Sequence, residues 1–569
     1  MERKNFVKLL AGGSGAIISV PPAKLRFFIK KYPEPEEGSS GFGADLIIAG
    51  GGLGGCAAAL SALRNNLKVI MTEETDWLGG QVSQQGVPPD EHQWIETHGG
   101  TKLYRDFRNK IREYYFRNYS LTNAAQSNKY LNPGDGAVSR LCHEPRVAVA
   151  VLNEMLAPYI SSGKLVILKN CKTVSADVTG DKVKAIKTIN LLTGKTYILE
   201  APWFIDATEL GDLLPLTGTE YVTGTESIKD TGELHAPEKA DPNNIQSFTM
   251  CFAMDYIEGE DNTIDKPENY DFWRNHVPQL SPPWSGKLLD LKYSNPSTLE
   301  SKYLAFDPSG ADTSPILNLW LYRRIINKNN FLSGTYQSDI TLVNWPQNDY
   351  MLGNILTGEN DFEKHVANAK QLSLSLLYWL QTEVPLPNKG YGWKGLRLRN
   401  DVMGTDDGLA KYPYVRESRR IKPVFRILEE HVGLENRMLV SGQKENVKAA
   451  DFYDSVGTGY YHIDLHPSCA GVNYVDFPSL PFQIPLGALI PQRVENMIPA
   501  NKNIGTTHIT NGCYRLHPVE WNIGESAGVL IAFAESKNTI PANVRKNRVL
   551  LEEFQQMIMS QGIEIKWPE

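Results

Sequence analysis

Cysteine is scarce. The 569 residues hold six, Cys56, Cys142, Cys171, Cys251, Cys469 and Cys513, all isolated. With no Cys-x-x-Cys pair, zinc ribbons, dithiol redox motifs and cysteine-ligated iron–sulfur clusters lose their sequence support. A disulfide framework is not expected in so long and cysteine-poor a chain. Long apolar runs are missing too, because nothing approaches the roughly 18 uninterrupted residues that a membrane-spanning helix needs. Nor is positive charge in excess. Lys and Arg number 58 against 65 Asp and Glu, a net charge of −7, which argues against an electrostatic nucleic-acid binder. What is present, 41% hydrophobic and 22% charged residues, is the profile of a globular protein. Its length exceeds what one core serves, so two or more lobes are expected. Any redox chemistry must come from a bound organic cofactor.

The first residues carry Arg3, Lys4 and Lys8 ahead of a short, glycine-diluted apolar stretch. This resembles a twin-arginine export leader over residues 1–30, with Arg-Lys where two arginines are usual. Export to the periplasm is the expectation and a cytoplasmic protein the alternative. Residues 31–43, rich in Pro, Glu, Gly and Ser, read as a linker.

An apolar strand then begins at Asp45 and runs into Gly50-Gly51-Gly52-Leu53-Gly54-Gly55, followed by an alanine-rich helix. The glycines at 50, 52 and 55 make G-x-G-x-x-G. The first permits a tight turn, the second close approach of a pyrophosphate, the third close packing of helix on strand. The helix N-terminus then faces the phosphates. A second strand ends at Glu73, about 20 residues on, where a carboxylate can hold ribose hydroxyls. Strand, glycines, helix, strand and acid occur in order, and that order identifies a dinucleotide site.

Asp76-Trp77-Leu78-Gly79-Gly80-Gln81 and Phe204-Ile205-Asp206-Ala207-Thr208-Glu209 follow. They resemble the Leu-Gly-Gly and Ala-Thr-Gly segments of FAD-binding flavoproteins, with Glu209 where glycine is common. Further pieces are Ile95–Thr101, Pro413–Ile421, Asp454–Gly459, and Ile484–Pro491 leading to Trp521–Gly528. Together they resemble the FAD-dependent oxidoreductase family, within the FAD/NAD(P)-binding flavoprotein superfamily, from about residue 45 to the mid-530s.

That resemblance implies an α/β fold, with a Rossmann-like FAD domain of the glutathione-reductase type and a large inserted α+β cap. It implies FAD contacts from Gly50, Gly52, Leu53, Gly54 and Gly55, from Glu73 and Glu74, and from Gly79, Gly80 and Gln81. Val174, Asp206, Ala207, Thr208, Asn503, Glu520, Asn522 and Ile523 complete the set. A helix over 522–534 would aim its N-terminus at the flavin pyrimidine ring. The usual Gly-Asp ahead of it is replaced by Asn501-Lys502-Asn503.

The FAD domain is expected in three pieces, 44–82, 140–215 and 482–538. Residues 83–139 form a helical insertion, 216–481 the cap and 539–569 a C-terminal tail helix. Apolar spacing predicts a helix over 145–159, strands over 165–168, 173–178 and 183–191, and a long helix over 360–382.

Three polar clusters compete for the substrate side. Strand alternation over 460–467 puts His462, Asp464 and His466 on one face. That face suits a base with an orienting carboxylate, or a metal; no further ligand cluster accompanies it, so no metal is expected. The second cluster, His508, Tyr514, Arg515 and His517, immediately precedes the flavin-facing helix. The third, Arg416, Arg419 and Arg420, can hold a carboxylate or phosphate, or can pair with Glu417 between lobes. The catalytic candidates are His508, His517, Arg515, His462 and Asp464; Arg416, Arg419 and Tyr514 are the substrate contacts. The expected reaction is hydride transfer from a small polar metabolite to FAD, with an external electron acceptor. A flavin monooxygenase and a redox-neutral hydratase, lyase or isomerase are the alternatives.

Overall fold

The computed structural model describes residues 42–356, 361–387 and 390–568. The leader expected over 1–30, and nearly all of the linker, lie outside them. Leu46–Ala49 form strand β1, buried throughout. The glycine loop leads into helix α1, Leu53–Arg64, with Gly52 as N-cap and no acid in its first turn. Strand β2, Val69–Glu73, lies parallel to β1 with Leu46 opposite Val69. Helix α2, Pro145–Ser161, leads to strand β3, Leu165–Lys169. Strand β4 is Trp203–Asp206 and strand β5 is Met497–Pro499. The five form one parallel sheet in the order β5-β4-β1-β2-β3. Its strands are apolar without alternation because both faces are covered.

The covering helix α3, His517–Ser536, begins earlier than the expected 522. Pro518 sits in its first turn, where a missing N–H costs nothing. It packs on α1 through glycines. A Cβ at Gly524 would lie 2.0 Å from the Gly54 carbonyl oxygen, and one at Gly528 would lie 2.2 Å from Ser61 Oγ. β5 ends at Pro499, just ahead of Asn501-Lys502-Asn503.

Strands Cys171–Thr179, Lys182–Asn190 and Thr196–Glu200 form an antiparallel layer beside this core. The stretch 83–139 supplies helices Lys102–Asn118 and Asn123–Ser127. The central part of the chain builds a second, four-stranded sheet of Arg324–Ile326, Ile340–Val343, Phe252–Tyr256 and Leu396–Leu398. Helix Asp361–Thr382 is tied to it through Gln381, whose amide donates to the Leu396 carbonyl at 2.8 Å. The C-terminal stretch holds two helices, Pro541–Lys546 and Arg548–Ser560, where one was expected. Asn547 breaks the run by capping the second, accepting from the Val549 and Leu550 N–H groups. No helix among the described residues is long and apolar enough to cross a membrane.

Candidate active site

At the C-terminal edge of the parallel sheet lies a cleft lined by Gly50, Gly52, Glu73, Glu74, Ala207, Thr208, Glu209 and Tyr412. Gly50 has φ +99°, and a Cβ there would lie 2.2 Å from the Ala207 carbonyl oxygen, so no side chain fits the turn. Glu73 is nearly inaccessible; its Oε2 accepts from Gly51 N–H at 3.0 Å and its Oε1 from Thr75 N–H at 2.7 Å. Burial pushes its carboxyl up to about 8. Gly54 N–H donates to Glu520 Oε1 at 3.2 Å, and burial raises the Glu520 carboxyl as well.

The Glu209 carboxylate lies across the glycine loop. Its Oε1 has no partner and comes within 2.8 Å of where a Gly52 Cβ would stand and 2.7 Å of a Gly80 Cβ. Its other oxygen accepts from the buried Lys502 Nζ at 2.5 Å. Burial works against the Lys502 charge, but Glu209 and Glu520 outweigh it and raise the ammonium. A bare glycine face, a strand-end carboxylate and a buried cation fit the diphosphate and ribose of a dinucleotide.

A second cavity, of about 500 Å³, is polar. Arg323, Arg416, Arg515, Asp90, His462, Asp464, His466 and Asp476 line it, together with Tyr293, Tyr322, Trp345, Tyr414, Tyr461 and Tyr474. Arg323 pairs with Asp90 at 3.0 Å, Arg416 with Asp349 at 2.9 Å and Arg515 with Asp464 at 2.8 Å. His466 Nδ1 meets Asp349 Oδ2 at 2.6 Å, and its Nε2 is 3.6 Å from Asp464. Burial opposes the Asp464 charge, but His466, Arg515 and His462 hold its carboxyl well below the usual range. His462 pairs with Asp476 at 3.2 Å. Against burial, that bond and the nearby carboxylates raise its imidazole. His462, Asp464 and Asp476 bring one possible ligand atom each within 4.8 Å of one another. The Arg515 guanidinium already supplies the cation beside Asp464.

One hydrogen-bonded pair links the segment beside the cleft to the cavity wall. Gln81, from the Gly79-Gly80-Gln81 segment, donates through Nε2 to the Arg515 carbonyl at 3.0 Å and to Glu520 Oε2 at 2.5 Å. Arg515 ends the short helix His508–Tyr514 as its C-cap and directs its guanidinium into the cavity wall.

The expected residues divide accordingly. His462, Asp464, Arg416 and Arg515 share the cavity. His508 does not: its Nδ1 meets Glu417 Oε1 at 2.9 Å in a buried network with Arg420 and Glu226. His517 is fully buried behind Asp90, whose N–H donates to its Nδ1 at 3.0 Å. Burial lowers its imidazole to about 3, so it is neutral. Arg419 binds the Leu210 and Leu356 carbonyls and Asp212, away from the cavity. Tyr514 is in the core, its hydroxyl donating to the Gln483 carbonyl at 2.7 Å.

Among the expected FAD contacts, Gly50, Gly52, Glu73, Glu74, Ala207 and Thr208 line the cleft. Leu53, Gly54 and Gly55 open α1 beneath it, and Gly79 and Gly80 have positive φ beside it. Val174 is 42% exposed on the far side of its strand, and its neighbours Cys171 and Thr173 line the cleft instead. Asp206 spends both oxygens on its own turn, accepting from Thr208 and Leu213 N–H groups. Asn503 donates to the Asp206 carbonyl. Asn522 pins α3 to strand Ser455–Gly459, accepting from Thr458 N–H, and Ile523 is buried beside it. Asp90, Arg323 and Asp349 carry no motif and are joined to the site only by the fold; Tyr414 belongs to the Pro413–Ile421 segment.

The family model for FAD dependent oxidoreductase matches residues 45–558. No curated protein sequence matches the chain. Among solved structures, L-proline dehydrogenase from P. horikoshii is 16% identical over 34% of this chain and 25% of its own, with a TM-score of 0.18. A geranylgeranyl bacteriochlorophyll reductase-like protein from Thermoplasma acidophilum is 10% identical over 92% and 85%, with a TM-score of 0.34. Glycerol-3-phosphate dehydrogenase from Bacillus halodurans, complexed with FAD, is 14% identical over 37% and 40%, with a TM-score of 0.22. The chain thus spans a quarter of the first of these proteins. Likenesses at this level assign neither substrate nor reaction.

Proposed function

The chain belongs to the FAD-dependent oxidoreductase family, and from that premise we propose a dehydrogenase or oxidase that acts on an alcohol or amine carbon of a small polar metabolite. FAD supplies the hydride acceptor. The glycine loop and the α1 N-terminus hold its diphosphate, Glu73 its ribose, and Lys502 balances charge beneath the loop. The polar cavity takes the substrate. His466 is the proton acceptor: Asp349 holds its Nδ1, which leaves Nε2 on the side of Asp464 and Arg515, the arrangement of an oriented base. His462 and Arg515 fix the substrate beside it. An external acceptor (oxygen, a quinone or a carrier protein) completes the turnover.

The observation that carries this reading is the Gln81–Arg515 hydrogen bond. It sets the cavity wall against the same segment that borders the dinucleotide cleft. The test is anaerobic titration of the yellow holoenzyme with alcohols and amines. Bleaching of the flavin, with a product lighter by two hydrogens, is the expected result. Turnover without that mass change points to a hydratase, lyase or isomerase. Flavin reduction by NADPH alone points to a monooxygenase.

A further inference from the structure

Each buried arginine of the polar cavity has an aspartate partner. These cations are Arg323, Arg416 and Arg515; His466 and the half-exposed His462 stand beside them. The anions are Asp90, Asp464 and Asp476, with Asp349 behind His466. Arg323 meets Asp90, Arg416 meets Asp349, Arg515 meets Asp464 and His462 meets Asp476, all within 2.8–3.2 Å. The remaining lining cation, Lys302, is exposed at the rim, where water and salt screen it.

An entering carboxylate that drew a guanidinium from its aspartate would leave Asp90 buried without its cation, and Asp464 with only His466, at 3.6 Å. An entering ammonium would do the same to an arginine. Breaking one side of a buried pair is strongly unfavourable. A hydroxyl asks for neither, because it donates and accepts at once. Two neighbouring hydroxyls match the donor edge and the acceptor edge that each Arg–Asp pair presents side by side. The six aromatic rings of the wall add apolar faces suited to the C–H side of a saturated ring.

We infer that the cavity binds a neutral polyhydroxylated molecule, a sugar or a polyol. The inference rests on the cavity being the substrate site of the proposed reaction. The oxidised group is then a CH–OH: His466 takes the hydroxyl proton as the C=O bond forms, and bound FAD would supply the acceptor for the carbon's hydrogen and its two electrons.

Calorimetric titration of the holoenzyme tests the class apart from the chemistry. The neutral probes are D-glucose, D-galactose, D-xylose and myo-inositol. D-glucuronate and D-glucosamine keep the ring of glucose and add one charge of either sign. At least one neutral probe should bind about tenfold or more tightly than both charged ones, as an unpaired buried charge demands. Tighter binding of glucuronate or glucosamine, or no binding by any neutral probe, overturns the proposal. Anaerobic flavin absorbance on the same mixtures separates the two readings. A neutral sugar that binds without bleaching leaves the ligand class standing and removes the dehydrogenase. Bleaching by an amine or acid, with no neutral sugar bound, does the reverse.

Discussion

Glu209 carries the conflict at the heart of the cleft. Its carboxylate lies on the glycine faces of 52 and 80 and is held there by Lys502. A diphosphate on those glycines meets a like charge, so Glu209 must turn away and give up Lys502 when FAD binds. Glu209→Gln keeps the shape and removes the repulsion. FAD affinity should rise by roughly fivefold to tenfold, in the range of a surface-to-buried charge contact, as measured by flavin fluorescence quenching; weaker binding would show that Glu209 helps hold the cofactor. His466 belongs to the other cavity. His466→Asn should lower kcat by about 10²–10⁴, the usual contribution of a general base, with flavin content unchanged. Unaltered turnover would return the role to another residue. The polar residues of 460–467 and Arg515 were legible in sequence because neighbours along a strand or beside a helix cap share a face. His508 and Tyr514 were misplaced because the seven-residue helix between them turns their side chains into a buried network and the core. Asp90, Arg323 and Asp349 come from three separate loops and strands, so no local pattern could have gathered them.

At the level of elements, the β–α–β start was readable because a doubly covered parallel strand has no polar alternation to confuse. The cap offers short strands of two to five residues between long irregular stretches, too brief for a period to show. The helix pair α1–α3 is where packing is most exacting. Gly524 faces the Gly54 carbonyl, and a methyl group there would need to stand 2.0 Å from it. Backbone on both sides cannot yield, so Gly524→Ala should cost about 1–3 kcal/mol or more, seen as a lower urea midpoint and a loss of bound flavin together. The sheet edge adds a pH dependence. Glu73, at the end of β2, is raised to about 8, and Asp206, at the end of β4, to about 7, both chiefly by burial. Each carboxyl is easier to ionise in the unfolded chain, near pH 4. Their contribution to stability is therefore full below about pH 4 and is lost as the pH rises to 8. FAD-free protein should melt at progressively lower temperature from pH 5 to pH 8, and Glu73→Gln should flatten that fall. An unchanged slope would mean that Glu73 is ionised in the folded cleft.

For the whole molecule, the FAD site is assembled from parts of the chain that lie far apart in sequence. The glycine loop comes from residues 50–55, the facing turn from 206–209, and Lys502 and Glu520 from near the C-terminus. The polar cavity draws on residues from Asp90 to Arg515 and touches the same Gln81–Arg515 contact. A ligand that bridges such segments binds the folded chain and not the unfolded one. Its stabilisation then follows mass action, about 2.7 kcal/mol at a free concentration of 100 times Kd and about 1.4 kcal/mol for each further tenfold. The melting temperature of FAD-depleted protein should therefore climb with added FAD and keep climbing after the fluorescence signal saturates. Because the segments span both ends of the described chain, near-UV circular dichroism, to which cap tryptophans such as Trp320 and Trp345 contribute beside Trp203 and Trp521 of the dinucleotide fold, should melt in one step and shift by the same amount as the far-UV signal. A melt in which only one of the two signals responds to FAD would mean that the cap and the dinucleotide fold lose structure independently, and that Gln81–Arg515 does not couple them.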